Sequence, residues 1–95
     1  MEQTITPEMV SRICSGDIAD YEEFVRNQWA AAVRICWLVL RNACDAEEAA
    51  QDAFVNLYKS RGQLRDPKKF RMWFYQILLN AARQQWRRRP NSSSV

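Results

Sequence analysis

The stretch FVRNQWAAAVRICWLVL, residues 24–40, decides the fold class of this 95-residue chain. At about 100° per residue, its apolar side chains cover most of a helix surface and leave a narrow polar strip that includes Arg34. A helix with so much apolar surface is typical of the central member of a bundle, packed on more than one side. We expect this helix to start near Asp17 or Asp20 and to continue to about Asn42.

Three further helices are expected around this central one. The chain has two glycines and three prolines, so long stretches can run as helix, and an all-β fold would lack its turn signals. Capping residues and breakers mark the expected bounds, which are Thr6 (N-cap) to Gly16, Asp45 (N-cap) to about Ser60, and Asp66 (N-cap, before Pro67) to Arg89. The sequence therefore predicts an all-α fold, a compact bundle of about four helices.

The apolar stripes of the helices predict the core. The second helix contributes Phe24, Val25, Trp29, Ala32, Val33, Cys36 and Leu40. The third contributes Ala46, Ala50, Ala53, Phe54 and Leu57, and its small side chains favour a close approach to the second. The fourth contributes Phe70, Trp73, Phe74, Ile77, Leu78 and Ala81.

Charge divides the chain into two unlike parts. Residues 1–60 contain ten acidic and five basic side chains, whereas residues 61–95 contain nine basic side chains and one acidic. Two solvated faces would explain this division, but so steep a change in a small domain favours two partners of opposite character, one of them a polyanion.

Catalysis, metal binding and cofactors find no support in the sequence. The chain has no histidine to act as a base, and its two glycines form no phosphate-binding loop. Cys14, Cys36 and Cys44 lack metal-ligand spacing, so we expect buried, reduced thiols and no metal site. We interpret the chain as a non-enzyme without a cofactor.

The N-terminus lacks the basic and apolar pattern of a signal peptide. The longest apolar run, residues 30–40, is too short to cross a bilayer and is interrupted by Arg34. We therefore expect a cytoplasmic protein.

The outward face of the fourth helix combines rings, amides and cations. Lysine and arginine neutralise phosphates, aromatic rings stack on unpaired bases, and amides such as Asn80 and Gln84 can read base edges. Alternatively, Tyr75 and Leu79 cover a neighbouring helix and Trp86 closes the end of the core. The basic cluster of residues 83–89 favours the first interpretation, a surface for single-stranded DNA.

The third helix carries an outward acidic face, which consists of Asp45, Glu47, Glu48 and Asp52. These acids can be simple N-terminal helix acids, which the helix dipole favours. Alternatively, the outward Val55 among polar neighbours indicates a docking surface with an apolar centre and a polar rim.

Three motifs together resemble region 2 of the sigma-70 family of bacterial RNA polymerase sigma factors. DAEEAAQDAFVNLY, residues 45–58, is similar to the family's "DAED-x-x-Q-E-x-F" helix, and FRMWFYQILLN, residues 70–80, to its "F-x-x-W-L-Y-x-I-x-x-N" helix. Residues 16–24 are similar to its "GD…AFEELY" start, and residues 86–89 to its basic end. The compact form resembles the extracytoplasmic function (group 4) branch.

The resemblance implies a transcription initiation factor domain over residues 1–89, with residues 90–95 starting a flexible linker and the region 4 domain absent. Such a domain binds core RNA polymerase and recognises and melts the promoter −10 element by capturing flipped non-template bases. The implied partners are the β′ clamp helices of core polymerase, promoter DNA and an anti-sigma factor, without membrane insertion.

The resemblance also assigns site residues by position. The implied polymerase-binding residues are Asp45, Glu48, Gln51, Asp52, Val55 and Asn56. The implied DNA-binding residues are Arg61, Gln63, Leu64, Arg65, Lys69, Arg71, Tyr75, Asn80, Arg83, Gln84, Arg87 and Arg88. By the same resemblance, the loop of residues 61–66 is implied to form the pocket that captures a flipped base. The chain departs from the family at residues 49–50, where two alanines replace bulkier aliphatics, and at Leu64, where the family often has an aromatic residue.

Two other interpretations remain open. In the first, the chain is a sigma-like protein-interaction module that binds an anti-sigma factor without binding DNA. In the second, it is a general helical nucleic-acid binder. The arginine cluster argues against the first, and salt-sensitive binding without preference for the −10 strand would indicate the second.

Overall fold

The computed structural model describes residues 7–15, 18–64 and 66–88 of the chain. This part contains four α-helices, α1 (Pro7–Cys14), α2 (Ile18–Leu40), α3 (Ala43–Lys59) and α4 (Phe70–Arg88), and two short 3-10 helices, Arg61–Gln63 and Pro67–Lys69. The predicted all-α bundle is confirmed. The expected caps and breakers at Thr6, Gly16 and Asp17 lie outside the described residues.

The turn between α2 and α3 is tighter than the sequence predicts. The second helix ends at Leu40, and Arg41 takes a positive φ of 55°, a left-handed conformation that stops a helix. Asn42 is extended, and its Oδ1 accepts a hydrogen bond from the Asp45 N–H at 2.9 Å. Asn42 is therefore the N-cap, and the predicted capping role of Asp45 is wrong.

The helices α2, α3 and α4 pack against one another, and α1 packs on α2 and the two 3-10 helices. The pairs α2–α3 and α3–α4 are both antiparallel. The start of α2 meets the end of α3 at Tyr21 and Tyr58, whereas Gln85, near the end of α4, meets Glu48, near the start of α3. The ends of α2 and α4 therefore lie at the same end of the bundle as the start of α3.

Aromatic rings fill the centre of the bundle. Phe24 of α2 lies 5.4–6.1 Å from the rings of Phe54, Phe70 and Phe74, in edge-to-face pairs. Predicted core residues that are buried are Phe24, Ala32, Cys36, Leu40, Ala46, Ala50, Ala53, Phe54, Leu57, Phe70, Phe74, Leu78 and Ala81. Those half-buried against the core are Val25, Trp29, Val33, Trp73 and Ile77.

The segment between α3 and α4 is short and hydrogen-bonded. The Gln63 N–H donates to the Ser60 carbonyl, and the Asp66 carboxylate accepts from the Lys68 N–H at 3.0 Å. Asp66 thus caps the chain before Pro67, as predicted, but the turn that follows is a 3-10 helix and α4 begins at Phe70.

The three cysteines differ in their surroundings. Cys36 is buried and Cys14 is half-buried, but Cys44 is exposed in the first turn of α3, so the prediction that all three are buried is wrong. Burial raises the pKa of Cys36 to about 11. Burial also raises the pKa of Cys14, partly offset by the nearby charge of Arg61. In the described ranges, no helix has both the length and the apolar character needed to cross a membrane.

Candidate nucleic-acid interface

The solvent-facing side of α4 carries rings beside basic and amide groups. Met72, Tyr75 and Trp86 are 70%, 47% and 53% exposed, respectively, and Leu79 is half-buried. The alternative in which Tyr75 and Leu79 cover a neighbouring helix and Trp86 closes the core is therefore wrong for Tyr75 and Trp86, whereas Leu79 is partly covered. The polar side chains predicted on this helix and just before it are all exposed, namely Lys69, Arg71, Asn80, Arg83, Gln84, Arg87 and Arg88.

The arginines of this face differ in whether they form an ion pair with an acidic side chain. Arg83 and Arg87 lie one helical turn apart, about 6 Å along the axis, and neither forms an ion pair with an acid among the described residues. Arg88, in contrast, is paired with Asp52 of α3 at 3.0 Å. Arg83 and Arg87 are therefore available to neutralise phosphates.

In the loop of residues 61–66, the expected base pocket, some side chains already contact other parts of the protein. The Arg61 guanidinium donates to the Tyr58 carbonyl and lies 4.0 Å from the Tyr58 ring centroid. Leu64 is half-buried against the core, whereas Gln63 is exposed. Arg65 lies outside the described residues. Among the described residues of this loop that were predicted to bind DNA, Gln63 is thus the exposed one.

The acidic side of α3 lies against the end of α4. The Gln85 Nε2 donates to the Glu48 carboxylate at 2.9 Å and lies 3.5 Å from an Asp45 carboxylate oxygen. The Gln85 Oε1 accepts from Arg88 at 3.0 Å. Gln85 is 8% exposed, and these partners satisfy the polar groups of its buried amide.

Gln85 was not among the residues predicted from the sequence. It continues the buried stripe of Leu78 and Ala81 at helical spacing, and that periodicity was the signal that could have indicated its position. Its partners come from a helix about 40 residues earlier in the chain, so no local pattern could have identified them.

The other side of α3 forms a groove with α2. Gln51 and Val55 of α3 line a cleft of about 450 Å³ together with Tyr21, Glu22, Val25, Arg26, Trp29 and Phe54. A second cleft of about 280 Å³ continues it and is lined by Ile18, Tyr21, Glu22, Val55, Tyr58 and Lys59. Val55 is 44% exposed at the centre of this surface. Half of the groove thus comes from α2, which the sequence did not indicate.

The six residues predicted to bind polymerase therefore lie on two surfaces. Asp45, Glu48 and Asp52 face α4, whereas Gln51 and Val55 line the groove with α2. The remaining residue, Asn56, is exposed.

Tyr21 links the two helices that line this groove. Its hydroxyl donates to the Phe54 carbonyl of α3 at 2.6 Å, and its ring lies 4.8 Å from that of Tyr58. Burial, and secondarily the neighbouring Tyr58, raise the pKa of Tyr21. The side chain is therefore a neutral hydrogen-bond donor at physiological pH, and it holds α2 against α3.

The sequence matches the family described as Sigma-70 region 2 over residues 16–91. It is also 28% identical, over 91 residues, to the RNA polymerase sigma-H factor of Pseudomonas aeruginosa, an alignment that covers 93% of this chain and 47% of that protein. The chain thus spans about half the length of this curated relative. No solved structure shows a significant match. Because the matched region covers most of the bundle, from the start of α2 to the end of α4, the chain belongs to the Sigma-70 region 2 family.

Proposed function

We propose that this domain binds core RNA polymerase and recognises and melts the promoter −10 element by capturing flipped bases of the non-template strand. The observation that carries the proposal is the open face of α4, where the exposed Tyr75, Arg83 and Arg87 lie within about 120° of one another around the helix. Stacking on a ring and phosphate neutralisation offset the few kcal/mol that extruding a base costs. The domain captures a base and carries out no covalent chemistry.

Three kinds of side chain on α4 have distinct roles in this proposal. Tyr75 offers a ring face on which an unpaired base stacks, and Asn80 offers an amide that reads a base edge. Arg83 and Arg87 hold the phosphates. In the sequence of events, thermal opening of an AT-rich duplex exposes the base, and the helix then holds it out of the stack.

Polymerase docking is proposed for the groove between α2 and α3 and for the acidic side of α3. The groove has an apolar centre at Val55 and a polar rim that includes Glu22, Gln51 and Lys59, which is the usual composition of a protein–protein interface. A pair of helices, such as the β′ clamp helices, would lie along it. We further propose that the chain belongs to the extracytoplasmic function branch, because its motifs follow one another without a long insert.

Titration with a single-stranded −10 non-template oligonucleotide tests the DNA surface. Tyr75→Ala is expected to weaken binding roughly 5- to 150-fold, because one stacked base contributes about 1–3 kcal/mol. Tyr75→Phe retains the ring and should bind nearly as the wild type does. Asn80→Ala should weaken binding, whereas Asn27→Ala, at an exposed position on α2, should not. Equal affinities for all these proteins would contradict the proposal.

Co-purification with core polymerase tests the docking surface. Val55→Arg places a charge at the apolar centre of the groove and is expected to abolish co-purification, while Ser11→Arg, on the exposed side of α1, is the control. If the chain were a module that binds only an anti-sigma factor, even the wild-type protein would not co-purify with polymerase. Arg83 and Arg87 are exposed and form no ion pair within the part of the chain that the structure describes, which argues against such a module.

A further inference from the structure

One side of α2 is open to solvent although most of its residues are apolar. The sequence predicted that this helix packs on more than one side, and in the structure α1, α3 and α4 pack against it. The second half of α2 nevertheless keeps an exposed side. Its residues, which we call the α2 outer face, are Ala30, Ala31, Arg34, Trp37, Leu38 and Arg41.

The α2 outer face is one continuous strip. At about 100° per residue, its five positions within the helix lie within about 120° of one another around the axis. Arg41 follows the last residue of α2, and its guanidinium lies 4.9 Å from the centroid of the Trp37 ring, which places it on the same side. Val25 and Trp29, which line the groove with α3, lie about 140° or more around the axis from the centre of the strip. The strip is therefore separate from the groove.

Trp37 and Leu38 form the apolar centre of this face. They are 39% and 57% exposed, so a partner that covered them would remove a large apolar area from water. Tryptophan and arginine are the residues most typical of interface hot spots. Ala30 and Ala31, about two turns earlier, have small side chains that let the backbone of another helix approach closely. Positions 30, 34, 37 and 41 are spaced by four, three and four residues, the spacing of a seam between two packed helices.

The charges of this face indicate the chemistry of its partner. Residues 24–44 contain three arginines and no acidic residue. Neither Arg34 nor Arg41 forms an ion pair with an acid in the described part of the chain. A symmetric dimer through this face would bring the same arginines of two copies together, which disfavours a second copy as the partner. Acidic side chains on a different protein would complement both charges.

We propose that the α2 outer face docks an acidic, amphipathic helix of another protein. Apolar side chains of that helix cover Trp37 and Leu38, and its carboxylates pair with Arg34 and Arg41. A nucleic acid fits less well, because the single ring of this face already has the Arg41 guanidinium over it and the alanines offer no ring for a base to stack on. The face lies outside both binding surfaces proposed above, so its role does not depend on them.

A designed peptide serves as the probe for this face. It has about three heptads, with leucines along one side and glutamates beside them, and a second peptide has lysine in place of every glutamate. Binding of each labelled peptide to the full 95-residue chain is measured by fluorescence anisotropy. The glutamate peptide is expected to bind at least about tenfold more tightly than the lysine peptide, because like charges across an interface are repulsive.

Two substitutions test the apolar centre. Trp37→Ala is expected to weaken binding of the glutamate peptide roughly 30-fold, the effect of losing a hot-spot residue. Leu38→Glu should abolish binding, since it places an acid at the centre of the face. Met72→Ala is the matched control, because it shortens an exposed apolar side chain on α4 and should leave peptide binding unchanged. Thermal unfolding of each variant verifies that the bundle is intact.

Two pairs of arginines test the charge complementarity. Arg34→Gln with Arg41→Gln should weaken binding of the glutamate peptide, whereas Arg83→Gln with Arg87→Gln, on α4, should not. The order of effects should reverse with the single-stranded −10 oligonucleotide, to which the α4 pair is expected to bind more weakly and the α2 pair as the wild type does. Unchanged DNA binding of the α4 pair would count against the proposed function and leave the α2 outer face unaffected.

Several outcomes would overturn the docking proposal. They are an absence of binding to the glutamate peptide, equal binding of the two peptides, and equal effects of the two arginine pairs on peptide binding. Two further measurements identify a different occupant. Sedimentation that shows a dimer dependent on Trp37 would assign the face to a second copy of the chain. Binding to phosphatidylglycerol vesicles that depends on Trp37, without binding to the peptide, would assign it to an anionic lipid surface.

Discussion

Replacing Arg83 and Arg87 together by glutamine is expected to make DNA binding less sensitive to salt. Both side chains are exposed, they lie one turn apart on α4, and neither is paired with an acid in the described part of the chain. Each should neutralise one phosphate and release the cations condensed around it. Losing two such contacts therefore lowers both the affinity and its dependence on salt concentration.

The size of the effect follows from the number of contacts. For a single strand, each neutralised phosphate contributes about −0.7 to the slope of log K against log salt, so the double variant should have a slope shallower by about 1.4. Between 50 and 200 mM salt, the wild-type affinity should then fall roughly seven-fold more than that of the variant.

Fluorescence anisotropy at several salt concentrations measures these slopes. The matched control is Arg26→Gln with Arg34→Gln, which removes two exposed charges from α2. The reasoning would be refuted if the control lowered the slope as much as the α4 variant, because binding would then depend on net charge rather than on this surface. An unchanged slope for the α4 variant would show that Arg83 and Arg87 contact no phosphate.

Three other measurements test the bundle itself. Phe54→Ala should lower the free energy of unfolding by about 3–5 kcal/mol in urea denaturation, because the ring packs against three other aromatic rings in the core. The pKa of Tyr21 is raised above its usual 10.0, so its stabilising hydrogen bond is complete below pH 10 and is lost as pH rises through the raised pKa. Tyr21→Phe should therefore lower stability at pH 7 by about 0.5–1.5 kcal/mol and reduce the loss above pH 10. At pH 8, mass spectrometry should show alkylation of the exposed Cys44 long before that of the buried Cys36, whose pKa is about 11.

Local periodicity predicted most of the core correctly. Phe24, Phe54 and Phe74 fall at helical spacing with other apolar residues, and each is buried in the bundle. A helix repeats every 3.6 residues, so the side chains that are buried on one face recur at regular intervals in the sequence and can be recognised there. The sequence by itself therefore determined the helical class, the core and the exposed face of α4.

Capping positions were harder to predict because neighbouring polar residues compete for them. Asn42 and Asp45 are both good N-caps, and the sequence alone gave no reason to choose Asn42. The choice depends on where α2 stops, and it stops at Arg41 with a positive φ. Packing of the α2–α3 hairpin selects that conformation, which local propensity does not favour.

Only the tertiary structure decided how the acidic side of α3 is used. Sequence periodicity placed Glu48, Asp52 and Val55 on one outward side of a helix. Packing divides this side, since α4 lies against Glu48 and Asp52 while α2 forms a groove at Val55. The hydrogen bonds of Gln85 to Glu48 and of Arg88 to Asp52 join side chains that are 37 and 36 residues apart in sequence. Such pairs meet only when the helices pack, so the repeat within a single helix contains no information about them.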